Sequence, residues 1–117
     1  MTDGSTPRFL QGSFTFIGKG YESPSLLDAS LRYVVPAGSI TQPVYFRGGN
    51  STAELVTIIV MRDGAPMRYF PMGAKDGVHV PLRVVEDLIA DTVLELFIAA
   101  PDGLSGTVFI DIGLVEI

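Results

Sequence analysis

The sequence has no cysteine, no tryptophan and a single histidine, His79, among its 117 residues. Without cysteine the chain has no disulfides and no thiolate metal ligands. One histidine is too few for a cupin-type metal site, and no Gly-x-Ser-x-Gly motif supplies a serine for a catalytic triad. We therefore expect no catalytic residues, no metal site and no cofactor, with His79 as a surface or structural residue.

Charge is also scarce. Charged residues make up 18% of the chain, with 8 basic and 13 acidic side chains and a net charge of −5, whereas about 25% is usual. An acidic chain without a basic run is a poor ligand for phosphate backbones and anionic membranes, so neither nucleic acid nor membrane is an expected partner. Because 47% of the residues are hydrophobic, a small monomer would have difficulty covering its surface with polar groups, and we expect a homo-oligomer.

No apolar run reaches the length of a membrane span, since the longest, 55–61, is strand-sized. The polar start of the chain lacks a basic region followed by an apolar stretch, so it carries no secretory signal pattern. Together with the absence of cysteine this predicts a cytoplasmic protein. The length fits one domain. We expect a flexible N-terminal lead-in over 1–12 and a single β-sandwich domain over 13–117.

Helical periodicity is missing from every long window, so the chain is predicted to be all-β with less than about a tenth helix. The best helical candidates are the short segments 25–29 and 85–90. Short runs rich in Val, Ile, Phe, Tyr and Thr alternate with Gly and Pro, a pattern typical of an antiparallel β-sandwich. The eight predicted strands are 13–17, 30–35, 42–47, 54–62, 66–71, 77–84, 92–99 and 106–116.

Turn signals connect several of these strands. The clearest hairpin joins 54–62 to 66–71 through Asp63-Gly64, because Asp-Gly supplies the positive φ angles of a tight turn. Further turns are predicted at Pro101-Asp102-Gly103 and Lys75-Asp76-Gly77.

Alternation along each strand predicts which side chains face the core. The strand 55–61 is apolar on both faces, so its second face is expected to be covered by a neighbouring segment or a partner chain. The side chains of Met61, Met67 and Met72 are also expected to be exposed. The predicted inward rows are Val78, Val80, Leu82 and Val84; Leu94, Leu96 and Ile98; Val108, Ile110, Ile112 and Leu114; and Leu31, Tyr33 and Val35.

A candidate binding face follows if the strands 77–84, 92–99 and 106–116 share a sheet, with one arginine joining from 66–71. Its outer side then gathers aromatic rings beside carboxylates and guanidinium groups. A sugar stacks on such rings and hydrogen-bonds to the charges, and a protein partner uses the same anchors. The predicted ligand-binding residues are Arg68, His79, Arg83, Glu95, Phe97, Phe109 and Asp111.

Alternatives to this face remain open. A register error of one residue would turn Phe97 and Phe109 into the core. The carboxylates Glu86, Asp87 and Asp91 are read as solvated loop charges, with a loop calcium site as the lesser alternative. If the face is not the site, the loops at 18–25 and 47–52 are the next candidates.

About two-thirds of the chain resembles the jelly-roll, galactose-binding-like carbohydrate-binding modules that are often appended to glycoside hydrolases. The resemblance starts near Tyr33 and is carried by the strand 92–98, the Pro101-Asp102-Gly103 turn and the final strand 106–114 with its Gly-Thr-Val-Phe-Ile-Asp sequence. It implies a jelly-roll β-sandwich. The chain departs from those modules in having Ile112 after Asp111 and Thr15 after Phe14, where the modules carry acidic residues, and in lacking a tryptophan sugar platform.

Two functions remain. The first is a non-catalytic, self-associating β-sandwich that acts as an assembly or accessory protein-interaction module, based on low charge and the two-faced strand 55–61. The alternative is a carbohydrate-binding module, based on the resemblance and on the aromatic, charged face. Nothing specific in the sequence points to an enzyme.

Overall fold

The computed structural model describes residues 4–117 and contains nine strands within them. No helix occurs in this range, which confirms the all-β prediction, and so none is long and apolar enough to cross a membrane. The strands are β1 Thr6–Ile17, β2 Ser25–Leu26, β3 Arg32–Val34, β4 Thr41–Asn50, β5 Val56–Arg62, β6 Ala65–Met72, β7 Gly77–Pro81, β8 Val93–Ala99 and β9 Ser105–Glu116.

The strands form two antiparallel sheets. Sheet A has the order β1-β9-β4-β7, and sheet B has the order β2-β8-β5-β6, with β3 also paired to β8. From β4 onward, every connection except the β5–β6 hairpin crosses between the sheets, so that the last strand lies between β1 and β4. This exchange of strands between two packed sheets is the topology of a jelly roll. The antiparallel β-sandwich predicted from the sequence is confirmed.

The core lies between the sheets and is built from the predicted alternating rows. The even-numbered residues of β8 and the residues Val108, Ile110, Ile112 and Leu114 of β9 are all buried. Phe46 of sheet A stacks on Phe70 of sheet B with ring centroids 4.2 Å apart and a 4° interplanar angle. This stacked pair fixes the two sheets against each other at the centre of the core.

The predicted hairpin is also present. Arg62 and Ala65 are the last cross-strand pair of β5 and β6, and the two residues between them have positive φ angles, 50° at Asp63 and 81° at Gly64. Positive φ at both central positions defines the two-residue turn that matches the twist of a hairpin.

Several local predictions are wrong. The segment 1–12 is not a lead-in throughout, because β1 begins at Thr6 and pairs with β9 along its whole length, while residues 1–3 lie outside the described range. The candidate helix 25–29 begins instead with β2, and in 85–90 Leu88 is buried and forms a bridge to Thr41. Strand β7 ends at Pro81, so Val84 is 70% exposed and does not join an inward row.

One end of the sandwich is closed by a polar cluster. The Tyr33 hydroxyl donates to Glu116 Oε2 at 2.5 Å, and the Arg8 Nε lies 3.2 Å from the same oxygen. The hydrogen bond from Tyr33, helped by Arg8, holds the pKa of Glu116 below its ordinary value against the opposing effect of burial. Burial, and then the bond to Glu116, raises the pKa of Tyr33.

Stability should therefore depend on pH through Glu116. A carboxyl whose pKa is lowered by folding stabilises the fold above its ordinary pKa of 4.5 and loses that contribution as the pH falls through the lowered value. We expect Tyr33→Phe to flatten the acid limb of a plot of denaturation midpoint against pH. Tyr21→Phe is the control, because its hydroxyl donates to the Leu55 carbonyl and not to a carboxylate. Equal acid limbs in wild type and Tyr33→Phe would contradict this role of Glu116.

Candidate functional site

The predicted binding residues do not form one cluster, because the strands that carry them do not share a sheet. Strands β7 and β9 belong to sheet A, on either side of β4, whereas β8 belongs to sheet B. The outer side of sheet A therefore carries His79, Phe109 and Asp111, and the opposite outer side of the sandwich carries Glu95 and Phe97. The expectation of a common sheet is wrong because, in this jelly roll, the successive strands β7, β8 and β9 belong alternately to sheet A and sheet B.

The two predicted arginines lie apart from both groups. Arg68 donates from Nε to Glu86 Oε1 at 2.9 Å and from a terminal nitrogen to the Val84 carbonyl at 2.6 Å. Its guanidinium thus holds the segment that follows β7. Arg83 is exposed in the same segment, beyond the end of β7.

Asp111 is the centre of a polar network on the outer face of sheet A. Its Oδ1 accepts hydrogen bonds from the Tyr45 hydroxyl at 2.9 Å and from the Gln11 amide at 3.0 Å. A terminal nitrogen of Arg47 lies 3.8 Å from Oδ2. Gln11, Asp111, Arg47 and His79 form one cross-strand row, which spans β1, β9, β4 and β7. Burial, and then the bond to Asp111, raises the pKa of Tyr45.

Gly113 makes this network possible. Gly113 is the cross-strand partner of Tyr45, and a Cβ at position 113 would lie 2.0 Å from Tyr45 Cε2. The absence of a side chain lets the tyrosine ring lie flat across β9, so that its hydroxyl reaches Asp111. The same ring makes an edge contact with His79, with centroids 6.1 Å apart and an 88° interplanar angle.

An exposed aromatic ring borders the network. Phe109 is 54% exposed, so the alternative in which it belongs to the core is wrong. Its row continues into Gly49 of β4 and Gly77 of β7, which have no side chains to fill the space beside the ring. The result is a shallow groove of about 540 Å³, lined by Phe109, the two glycines and the row of Arg47, His79 and Asp111. We call this groove the Phe109 groove.

The groove combines a ring face for stacking with a carboxylate, a guanidinium and an imidazole for hydrogen bonding. Tyr45, Arg47, Gln11 and Gly113 are absent from the set predicted from sequence. Alternation in the predicted strand 42–47 places Tyr45 and Arg47 on one side, but no sequence signal pairs that side with Asp111.

The outer face of sheet B is chemically different. Ile59 lies between its cross-strand partners Tyr69 and Phe97, and it clusters with Met61, Phe97 and Ala99 outside the main core. Leu26 and Val34 extend the apolar surface over β2 and β3. The charged residues Arg32 of β3 and Glu95 of β8 are direct cross-strand partners on the same face. We call this surface the sheet-B face. It consists of Leu26, Arg32, Val34, Ile59, Met61, Tyr69, Glu95, Phe97 and Ala99.

The centre of the outer face of β5 is already buried within the single chain. Ile59 is 3% and Met61 9% exposed within the single chain, so of the two alternatives for covering this part of β5 the one within the chain holds, and the expectation that Met61 is exposed is wrong. Met72 is fully buried in the core, and Met67 is half-buried against it. The exposed apolar residues lie around this centre: Tyr69 at 60%, Leu55 at 46%, Leu26 at 42% and Val34 at 40%.

Two of the loop carboxylates, Glu86 and Asp87, have protein partners. Glu86 pairs with Arg68, and Asp87 accepts a hydrogen bond from the Gln42 amide at 2.6 Å. Within residues 4–117 no three His, Asp or Glu side chains cluster in a way that could hold a metal ion.

No protein-family model and no curated protein matches the chain. Solved structures do. The chain is similar to the CBM36-1 domain of a multidomain xylanase from the hindgut metagenome of Trinervitermes trinervoides, with a TM-score of 0.57 at 14% identity over 94% of this chain and 96% of that chain. This confirms the likeness to jelly-roll carbohydrate-binding modules at the level of the fold.

Virus particles provide a second group of similar structures. The chain matches infectious bursal virus-derived T=1 particles with a TM-score of 0.54 at 12% identity, over 98% of this chain and 32% of that chain. The infectious bursal disease virus Gx strain matches with a TM-score of 0.51 at 12% identity, over 97% of this chain and 32% of that chain. The chain thus spans about a third of these virus chains.

The role of Gly113 can be tested by stability. We expect Gly113→Ala to lower the free energy of unfolding by about 1–3 kcal/mol, because the new methyl group displaces the Tyr45 ring. Gly49→Ala on the same face is the matched control and should change stability little, since its Cβ would lie 3.4 Å from the nearest Phe109 atom. In a Tyr45→Ala background the cost of Gly113→Ala should fall, and an unchanged cost in that double-mutant cycle would contradict the contact.

Proposed function

We propose that this chain is a non-catalytic β-sandwich that self-associates and acts as an assembly or accessory protein-interaction module. The observation that carries the proposal is the sheet-B face, where Leu26 of β2, Val34 of β3 and Tyr69 of β6 expose apolar side chains around a buried centre. Exposed apolar surfaces that extend over several strands usually mark interaction sites on small soluble domains. Tyrosine and methionine, both present here, are enriched in such interfaces.

The composition supports the same proposal. Few charges are available to solvate this surface, since the chain has 18% charged residues and the sheet-B face carries one acidic and one basic side chain. Opposite charges on one face can pair with those of a second copy related by a twofold axis, because a twofold interface brings the same patch against itself. The virus structures named above are of particles, and their likeness supports the proposal only through the shared fold.

Replacing Tyr69 by lysine should weaken self-association. Tyr69 is 60% exposed beside Ile59, and a lysine there brings an unpaired charge into the contact. Light scattering should give wild type the mass of a dimer or larger species and give Tyr69→Lys a lower mass at the same concentration. Phe109→Lys is the matched control on the opposite face and should keep the wild-type mass. A monomeric wild type at every concentration would refute the proposal.

Carbohydrate binding in the Phe109 groove is the second candidate function. It is favoured by one observation: the exposed ring of Phe109 lies beside Gly49 and Gly77 and next to a row of polar side chains. Sugars stack an apolar face on an aromatic ring and hydrogen-bond at its edge to charged side chains. The similar structure is a domain of a xylanase, which makes plant polysaccharides the first ligands to screen.

A glycan array followed by Phe109→Ala tests this candidate. The substitution should change stability by only about 0.5 kcal/mol, because the ring is largely exposed. It should nevertheless abolish binding to any glycan that wild type retains, whereas Tyr69→Ala on the sheet-B face should leave that binding intact. Equal glycan binding by Phe109→Ala and wild type would place the site elsewhere and reject the groove.

A further inference from the structure

Strand β1 is an open edge of sheet A. It is twelve residues long, and among residues 4–117 it pairs only with β9. In an antiparallel strand alternate backbone groups point to opposite sides, so about half of the N–H and C=O groups of β1 point away from β9. Nine of its twelve residues are exposed. A strand edge of this kind is a template for pairing with another strand.

The other edge strands are protected in ways that β1 is not. Strand β6 carries Pro66 and Pro71, which have no N–H to donate, and β7 is five residues long and ends at Pro81. Strands β2 and β3 have two and three residues. By contrast, the segment 9–17 of β1 has no proline and no charged side chain, and its pairing with β9 contains no register shift. These are the properties that natural edge strands usually avoid.

The order of outward-facing and core-facing side chains along β1 is self-complementary in an antiparallel pair of two β1 strands. Its odd-numbered residues 9–17 face outward, because they pair with the outward residues of β9, and its even-numbered residues face the core. A second β1 that continues the sheet must place outward residues opposite outward ones. A twofold axis at Ser13 does so and pairs Phe9 with Ile17. These two side chains are 53% and 60% exposed, and they are the large apolar residues at the two ends of the outward row.

The rest of this register is also favourable. On the core side it pairs Leu10 with Phe16 and Gly12 with Phe14, and on the outer side Gln11 with Thr15. Leu10 and Phe14 are half-buried at the edge of the core, so the second copy would cover them further. Pro7 and Arg8 fall outside the paired segment, so neither a missing N–H nor a like charge opposes the pairing. Aromatic and β-branched side chains opposite one another stabilise antiparallel pairs.

We propose that β1 pairs antiparallel with β1 of a second copy of this chain about a twofold axis at Ser13, which joins the two four-stranded A sheets into one continuous sheet. This contact is distinct from the sheet-B face and does not depend on it. A copy that uses both surfaces has two contacts with different neighbours, which allows assemblies larger than a dimer.

Cysteine substitution tests the register directly, because the chain has no cysteine of its own. Ser13 would face Ser13 of the second copy with Cβ atoms about 5 Å apart, close enough for Ser13→Cys to form a disulfide between copies under mild oxidation. Thr15→Cys is the matched control on the same face of the same strand, where each Thr15 lies opposite Gln11 and four residues from the other Thr15. Ser13→Cys should cross-link at least about tenfold faster, since apposed thiols have an effective concentration of the order of millimolar.

A charge at the axis provides a second readout. Ser13→Lys places two like charges opposite each other and should lower the mass measured by light scattering, whereas Ala74→Lys, in the exposed turn before β7, should not. Equal cross-linking of Ser13→Cys and Thr15→Cys, or an unchanged mass of Ser13→Lys, would overturn the pairing. The same cross-linking is measured with Ser13→Cys in a Tyr69→Lys background. If the disulfide between copies still forms there, the contact between β1 strands forms without the contact at the sheet-B face.

Discussion

Strand β9 is the element on which sheet A and its outer surface depend, because it is hydrogen-bonded along both edges. It pairs with β1 over the full twelve residues of each strand and with β4 on its other side. Its even-numbered residues fill the core, and its odd-numbered residues present Phe109 and Asp111 to solvent. Gly113 then admits the Tyr45 ring, so the geometry of the polar network follows from the register of β9 against β4.

Two outer surfaces of different chemistry result from the strand exchange. The outer side of sheet A carries a hydrogen-bonded carboxylate beside an exposed ring, whereas the sheet-B face is apolar and has a buried centre at Ile59. An apolar surface gains free energy when water is removed from it, and a polar network loses free energy unless its hydrogen bonds are replaced. This difference favours the sheet-B face over the outer side of sheet A for the proposed self-association, and the Phe109 groove for the proposed polar ligand.

Local patterns predict much of this fold. Alternation identifies the buried rows of β8 and β9, and Asp63-Gly64 identifies the hairpin, because both signals act between residues close in sequence. The sheet to which a strand belongs is a long-range property: it separates Glu95 and Phe97 from Phe109 and Asp111, although all four lie on the outward rows that alternation predicts. The start of β1 at Thr6 is missed for a related reason: the segment 6–12 contains Pro7, Arg8 and Gly12, which disfavour a strand locally, and it becomes a strand through its pairing with β9.

Hydroxyl-radical footprinting of the wild-type chain at low and high concentration tests this division between the two faces most directly. We expect the labelling of Tyr69, Leu26 and Val34 to fall as the chain assembles, while the labelling of Phe109 and His79 stays constant. Unchanged labelling of the sheet-B face in a sample whose mass has increased, or protection of Phe109 instead, would contradict it.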